Sequence, residues 1–281
     1  MQEDRNTIKR AKALNIKTKK RVFSENAGLN LSSYFGEGFD FAEVREYQSG
    51  DDIRSINWST TAKLQKIFVN IYKQERELNI VCIFMQEGSM EFGTTISKKE
   101  FIAEIATIIG YSALKNRDCF EYGLFCNSDL KLHKINSLMG VENMLLKVTT
   151  TPLFGFKNDP NRLDKLLHKI RKRSLIFLLG DFFTPPKLKA TSQKHEIVPL
   201  IVRDRFEEEP KSLGNEVFRD LNTTITTEGE LNQKAIKEYK RLSLELDSRL
   251  FSELNRYGFR YRKIYTDQNP YIELSKLFMD R

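Results

Sequence analysis

The residues that could do chemistry are few and scattered. Asp51 and Asp52 stand side by side, and paired carboxylates can serve general acid and base work. Adjacent residues in a turn face different ways, however, so capping a helix suits them better. His133, His168 and His195 are far apart and share no metal-ligand spacing, which fits surface or helix-face positions. Cys82, Cys119 and Cys126 form no C-x-x-C pair and sit in apolar, strand-like runs, so reduced buried thiols are expected rather than a disulfide or a zinc site. Glu207, Glu208 and Glu209 read as a solvated acidic turn. The sequence contains no G-x-x-x-x-G-K-[ST], no H-E-x-x-H and no G-x-S-x-G. A hydrolase would need clustered polar groups of shifted acidity in a pocket, and no such cluster is nominated.

One stretch is far denser in special residues. Residues 36–58 read GEGFDFAEVREYQSGDDIRSINW and hold three glycines and the only tryptophan. Gly36 and Gly38 permit backbone angles closed to other residues and can bring the chain sharply into an extended run. There Phe39, Phe41 and Tyr47 can bury their rings, while Asp40, Glu43, Arg45 and Glu46 stay wet or pair. Ser49, Gly50, Asp51 and Asp52 make a turn, and either aspartate could cap a short helix starting near Ile53, with Arg54, Ile56 and Trp58 on its first turns. These residues either contact a partner, latch two parts of the chain together, or simply build a structural corner.

The wording G-E-G-F-D-F followed by R-E-Y-Q-S-G-D-D-I-R-S-I-N-W resembles the signature of the bacterial family known as domain of unknown function 58. Ser89-Met90-Glu91-Phe92-Gly93, Gly180-Asp181-Phe182 and the stretch from His195 to Pro210 extend the resemblance. It implies a von Willebrand factor A-like fold and a MoxR-type AAA+ ATPase as partner. Von Willebrand factor A domains carry a metal-ion-dependent adhesion site, D-x-S-x-S after the first strand with a threonine and an aspartate from later loops, and such oxygen ligands suit magnesium. Here Met85 stands at the leading aspartate position and Glu87 at the first serine. A thioether is a poor magnesium ligand, so the resemblance carries over only Ser89, one of Thr149, Thr150 and Thr151, and Asp181, with Glu87 able to replace the lost carboxylate. The expected site is therefore a degenerate one made of Glu87, Ser89, Thr151 and Asp181, with no resident cofactor and Mg2+ disfavoured by Met85.

The elements that must position these residues follow from hydrophobic pattern. Asn79–Met85 is a continuous apolar run, as in a central parallel strand covered on both faces. Ser97 caps a helix to about Lys115, strands follow at 119–126 and 130–135, and helical pieces lie near 141–147 and 162–171. Further strands are expected at 174–179, 197–202 and 259–265. A polar connection at 207–230 holds one edge strand near 223–227. A helix over 231–258 is closed by Gly258, with Leu242, Leu246 and Leu250 as core positions, and Asn269-Pro270 opens a last helix. Strands alternating with helices predict an α/β fold, a mostly parallel, Rossmann-like sheet flanked by helices. A small β-containing N-terminal annex precedes it. The predicted organisation is a basic arm at 1–21, which could be a frayed helix or a free arm, the annex at 22–77, and the von Willebrand factor A-like domain at 78–281. No repeat or low-complexity segment is present.

The chain has 281 residues, 40% hydrophobic and 30% charged, with a net charge of +8, enough for one large domain with an annex. No apolar run approaches the roughly 20 residues of a membrane span, and the start lacks a signal-peptide core; a cytoplasmic location without membrane insertion is expected. The expected function is a non-enzymatic adaptor or co-chaperone presenting client proteins to a MoxR-type ATPase. The signature residues Gly36, Gly38, Arg45, Tyr47, Gly50, Asp51, Asp52, Arg54 and Trp58 are its candidate contact. The alternatives are a nucleic-acid binder using the basic clusters around Lys9–Arg21 and Lys169–Arg173, or a hydrolase with an unrecognised site.

Overall fold

The computed structural model of the chain describes residues 10–15, 18, 43–51, 53, 56–71, 77–211 and 213–279. The chain divides into two compact units, Leu31–Glu77 and, together, Met1–Asn30 with Leu78–Arg281.

In the smaller unit, β1 (Glu43–Glu46) pairs antiparallel with β2 (Phe68–Ile71), Arg45 opposite Val69. Helix α1 (Trp58–Leu64) lies between them in sequence. Its start differs from expectation. Asn57 Oδ1 accepts the Thr60 amide at 2.9 Å and caps the helix, while Ile56 bridges to Val69. Asp51 instead closes its own turn, accepting from the Gln48 amide at 2.8 Å and from Arg45 at 2.7 Å. Asn57 thus caps α1, whereas the short helix expected near Ile53, with Asp52 as its possible cap, falls largely outside the described residues. Gly36, Gly38, Asp52 and Arg54 lie outside the described residues.

The larger unit is built on β3 (Asn79–Met85), β4 (Cys119–Cys126), β5 (Asp129–Ile135), β6 (Leu175–Gly180) and β7 (Glu196–Arg203). A separate antiparallel hairpin of β8 (Leu213–Arg219) and β9 (Thr226–Leu231) precedes β10 (Arg262–Tyr265). The six-stranded sheet has the order β10-β7-β6-β3-β4-β5. All its neighbours are parallel except β4 and β5. That exception is local: Asn127 and Ser128 take φ of +48° and +61°, the geometry of a tight hairpin turn that leaves no room for a crossover helix.

Helices cover both faces, giving an α/β fold with a mixed, mostly parallel sheet. Helix α2 (Lys98–Lys115) starts at a capping box in which Ser97 accepts from the Glu100 amide and Glu100 accepts from the Ser97 amide. It packs with α3 (Leu138–Thr150). On the opposite face α4 (Pro160–His168) and α5 (Lys189–Lys194) enclose Val81, Ile83, Met85, Ile176 and Leu178 with Leu163, Leu167 and Leu188. Then come the short α6 (Arg205–Glu208), the long α7 (Gln233–Arg256) and α8 (Pro270–Met279). Helix α7 adds Leu250 and Leu254 to that core, and α8 returns to pack on α2. Ahead of the sheet, residues 10–15 are helical, Ala11 is buried, and Tyr111 Oη donates to Asn15 Oδ1.

Three expectations are corrected here. Leu242 and Leu246 are 46% and 37% exposed while Leu250 is 1% exposed, because only the second half of α7 faces the core. The connection at 207–230 holds a two-stranded hairpin rather than one edge strand. His195 is buried, its Nδ1 accepting the Ser174 amide at 3.2 Å, because it sits at the start of β7 rather than on a helix face.

Candidate functional site

The sheet reverses its direction of growth at β3, with β4 and β5 on one side and β6, β7 and β10 on the other. In open α/β sheets ligands collect at the carboxyl ends of the strands at such a point. Those ends carry Met85, Gly180-Asp181 and Arg203-Asp204. Met85 is buried, and a Cβ placed on Gly180 would sit 2.7 Å from the Met85 Cβ. The methionine thus fills the space the glycine leaves, where a metal site would want a carboxylate. Gly180→Ala is expected to cost about 1–3 kcal/mol through overpacking, measurable by urea denaturation.

Asp181 is buried at the centre of a charge cluster. Lys98 Nζ lies 3.0 Å from Asp181 Oδ2 and 2.5 Å from Glu207 Oε1, with the lysine side chain wholly buried. Arg203, also buried, donates to the Asp181 carbonyl and, at 3.1 Å, to Asp247 Oδ1 of α7. Both cations lie over the Phe183 ring, at 5.1 and 4.3 Å from its centroid, where the π face favours positive charge. Lys263 continues the cluster through Asp247 at 2.7 Å and through Glu208. Burial alone would raise the Asp181 pKa, but the charges of Lys98 and Arg203 hold it below its ordinary value. The next residue, Phe182, is buried with a φ of +52°, a strained conformation for a bulky side chain.

Glu87 and Ser89 share this rim. Burial, and then the charge of Asp181, push the Glu87 carboxyl up to about 7. Ser89 Oγ is buried beside the Asp181 carboxylate, which it helps to keep ionised, yet makes no hydrogen bond of ordinary geometry. Asn158 fixes the loop beneath, donating to the carbonyls of Gln86 at 3.0 Å and Phe125 at 3.1 Å. The fourth expected residue is not part of the group. Thr151 Oγ1 donates to the Lys147 carbonyl at 2.7 Å, satisfying its own helix, and the Thr151 carbonyl accepts from Lys99 at 2.9 Å. Thr149 likewise donates to Leu145.

The residues present do not fit a magnesium ion. Asp181 is already engaged by a fixed ammonium, Met85 supplies no oxygen, and Thr151 is turned away. Among the described residues no group of three or more His, Cys, Asp or Glu is arranged to hold a metal.

Lys98, Arg203 and Glu207 escaped the sequence reading, which gave the glutamates a solvated turn. Glu207 and Arg203 reach the rim at the end of β7, and Glu207 is largely buried there because the buried Lys98 at the start of α2 needs a counter-charge, whereas Glu209 stays exposed. One signal was available: Lys98 and Lys99 open a helix, where the macrodipole disfavours cations, so their placement required nearby acids. Lys99 finds Glu91 at 2.7 Å.

In the smaller unit the described signature residues are Arg45, Tyr47, Gly50, Asp51 and Trp58. Arg45 and Asp51 form an ion pair of 2.7 Å, and that hydrogen bond, with one from the Gln48 amide, lowers the Asp51 pKa. Gly50 takes a φ of +110°, which only glycine adopts easily. The Tyr47 amide donates to the Ile67 carbonyl at 2.7 Å. Trp58 is 70% exposed, and Ile53, Leu64 and Ile67 of the same unit are exposed as well.

The family described as "Protein of unknown function DUF58" matches residues 43–246. The uncharacterized proteins Rv1480 of Mycobacterium tuberculosis and Mb1516 of Mycobacterium bovis are each 23% identical over 240 residues, covering 82% of this chain and 75% of theirs. Two solved structures are similar. The conserved hypothetical protein BatB from Bacteroides thetaiotaomicron has a TM-score of 0.43 and 11% identity over 72% of this chain and 97% of its own. An aerotolerance-related membrane protein from Bacteroides fragilis has a TM-score of 0.44 and 12% identity over 73% and 100%.

Proposed function

Because the chain belongs to the DUF58 family of proteins of unknown function, we propose that it is a cytoplasmic, non-enzymatic adaptor or co-chaperone. It works with a MoxR-type AAA+ ATPase and presents client proteins for remodelling. Its larger unit is read as a von Willebrand factor A-like domain with a dismantled metal site. The observation that carries this reading is the Lys98 ammonium lying on Asp181 and Glu207: the rim keeps the form of a ligand site, but its charge is balanced from within, which suits docking better than chemistry. In support, Ile53 and Trp58 of the signature stretch are exposed, and exposed aromatics are the usual anchors of protein contacts. No described helix is long and apolar enough to cross a membrane.

Affinity capture from the native host with the nucleotide trapped tests the partnership. An AAA+ ATPase should co-purify with the wild-type chain, and Trp58→Ala should reduce its recovery at least ~10-fold, as for a contact hot spot. The same substitution should leave stability within about 0.5 kcal/mol, since the ring is largely in solvent. Recovery of no ATPase would remove the adaptor reading; equal recovery with Trp58→Ala would remove the signature as its contact.

One observation favours a hydrolase instead. Burial, and then Asp181, push the Glu87 carboxyl up to about 7, and the Ser89 hydroxyl lies beside Asp181, a pattern that resembles a general base near a nucleophile. Turnover of ester or phosphoester substrates that disappears in Glu87→Gln would favour this second reading.

A further inference from the structure

The turn joining β8 to β9 reaches back onto the rim. The Leu221 carbonyl accepts from the Gly155 amide at 2.9 Å, and Asn222 Oδ1 accepts from the Ser89 amide at 2.8 Å. A Cβ on Gly88 would stand 1.9 Å from the Leu221 oxygen, so glycine at this position is what lets the turn approach. The turn is held in shape by its own bonds. Asp220 accepts from the Asn222 amide at 2.8 Å and from the Thr223 hydroxyl at 2.6 Å, and its own amide donates to Ile225 at 2.9 Å. Among the described side chains the body of the hairpin is mostly exposed: β9 apart from the half-buried Leu231, and Val217 and Phe218 of β8, with Arg219 lying 5.8 Å from the Phe154 ring centroid. A segment fixed by a few hydrogen bonds and little buried apolar area belongs to the part of a fold that opens first.

We propose that this tip is a tethered plug that occupies the rim over Ser89 and withdraws as a unit to admit a loop of a partner protein. What the tip presents defines the ligand it excludes, a tight turn offering a backbone carbonyl followed by an Asn or Asp side chain. Withdrawal frees the Ser89 and Gly155 amides as donors to the incoming loop. This rests on the reading of the rim as a protein-docking site, and adds its regulation and the chemistry of its partner.

Native-state hydrogen exchange on the full chain tests the plug without any partner. The Ser89 and Gly155 amides should exchange together, at least ~100-fold faster than the core amides of Val81 and Phe177 and with weak dependence on denaturant. The Gly88 amide, bonded to the Phe156 carbonyl at 2.9 Å, should stay slow. Exchange of Ser89 and Gly155 at the core rate would make the tip a fixed part of the fold and overturn the proposal. Asn222→Ala should speed Ser89 exchange further by roughly 10-fold, as for loss of about 1.4 kcal/mol; no change would overturn it too. A disulfide-closed peptide copying residues 219–226 should bind Asn222→Ala at least ~10-fold more tightly than wild type. It should not bind Gly88→Ala, whose added methyl would reject tip and peptide alike. Equal binding to wild type and Asn222→Ala would overturn the docking role. Failure of ATPase capture alongside the expected exchange and peptide results would fall on the adaptor reading alone.

Discussion

Lys98→Met is expected to destabilise the larger unit by about 3–5 kcal/mol, the cost of leaving buried carboxylates without their cation. Asp181 sits 3.0 Å from the ammonium and Glu207 2.5 Å from it, and Arg203 cannot take over, since its guanidinium is committed to the Asp181 carbonyl and to Asp247. In a domain of this size each kcal/mol shifts the melting temperature by roughly 2–4 °C, so a fall on the order of 10 °C should appear in thermal melts at pH 7. Adding Asp181→Leu should restore part of the loss, because it removes one of the two carboxylates left without their cation while Glu207 remains. No recovery in the double variant would mean that the unpaired Glu207, rather than Asp181, carries the cost. The pH dependence has a definite sign. Asp181 has a lowered folded pKa, so its contribution is complete above its ordinary value of 3.8 and is lost as pH falls through the lower folded one.

Glu87→Gln is expected to stabilise the protein at alkaline pH and leave it almost unchanged at pH 4. Burial and Asp181 raise the Glu87 carboxyl from 4.5 to about 7, so the folded state prefers the protonated form. The wild type should therefore be fully stable, as far as this group is concerned, below pH 4.5, and lose stability as pH rises through about 7. The full swing is on the order of 3–4 kcal/mol, from about 1.4 kcal/mol per pKa unit. Urea midpoints at pH 4.5, 7 and 8.5 should show the decline in wild type and a flatter line in the variant. Glu207 is raised by burial in the same direction, which leaves some slope in Glu87→Gln. A wild-type profile that rises from pH 5 to 8 would contradict the burial of both groups.

Much of the fold was legible because its signals are local. The apolar runs at β3 and β6, the Ser97 cap and the terminal Gly258 each announce themselves within a few residues. The α7 packing was not legible, since Leu242, Leu246 and Leu250 repeat at helical spacing whether or not the sheet extends beneath them. Half of the candidate site was readable in the same way: Glu87, Ser89 and Asp181 follow strand ends and do converge. Lys98 and Glu207 are separated by 109 positions, and their meeting depends on α2 and α6 both beginning at the same edge of the sheet. Thr151 failed for the opposite reason. Its hydroxyl has a carbonyl four residues back in its own helix, and that short-range acceptor wins over a distant site.

The Lys98 ammonium differs from a divalent ion in one further respect. It is attached to the polypeptide, so it cannot be chelated, diluted away or exchanged for calcium or manganese. Recognition at this rim would proceed alike with or without EDTA, and would carry no information about free divalent concentration. Control would then have to come from elements of the chain itself or from the partner that engages them.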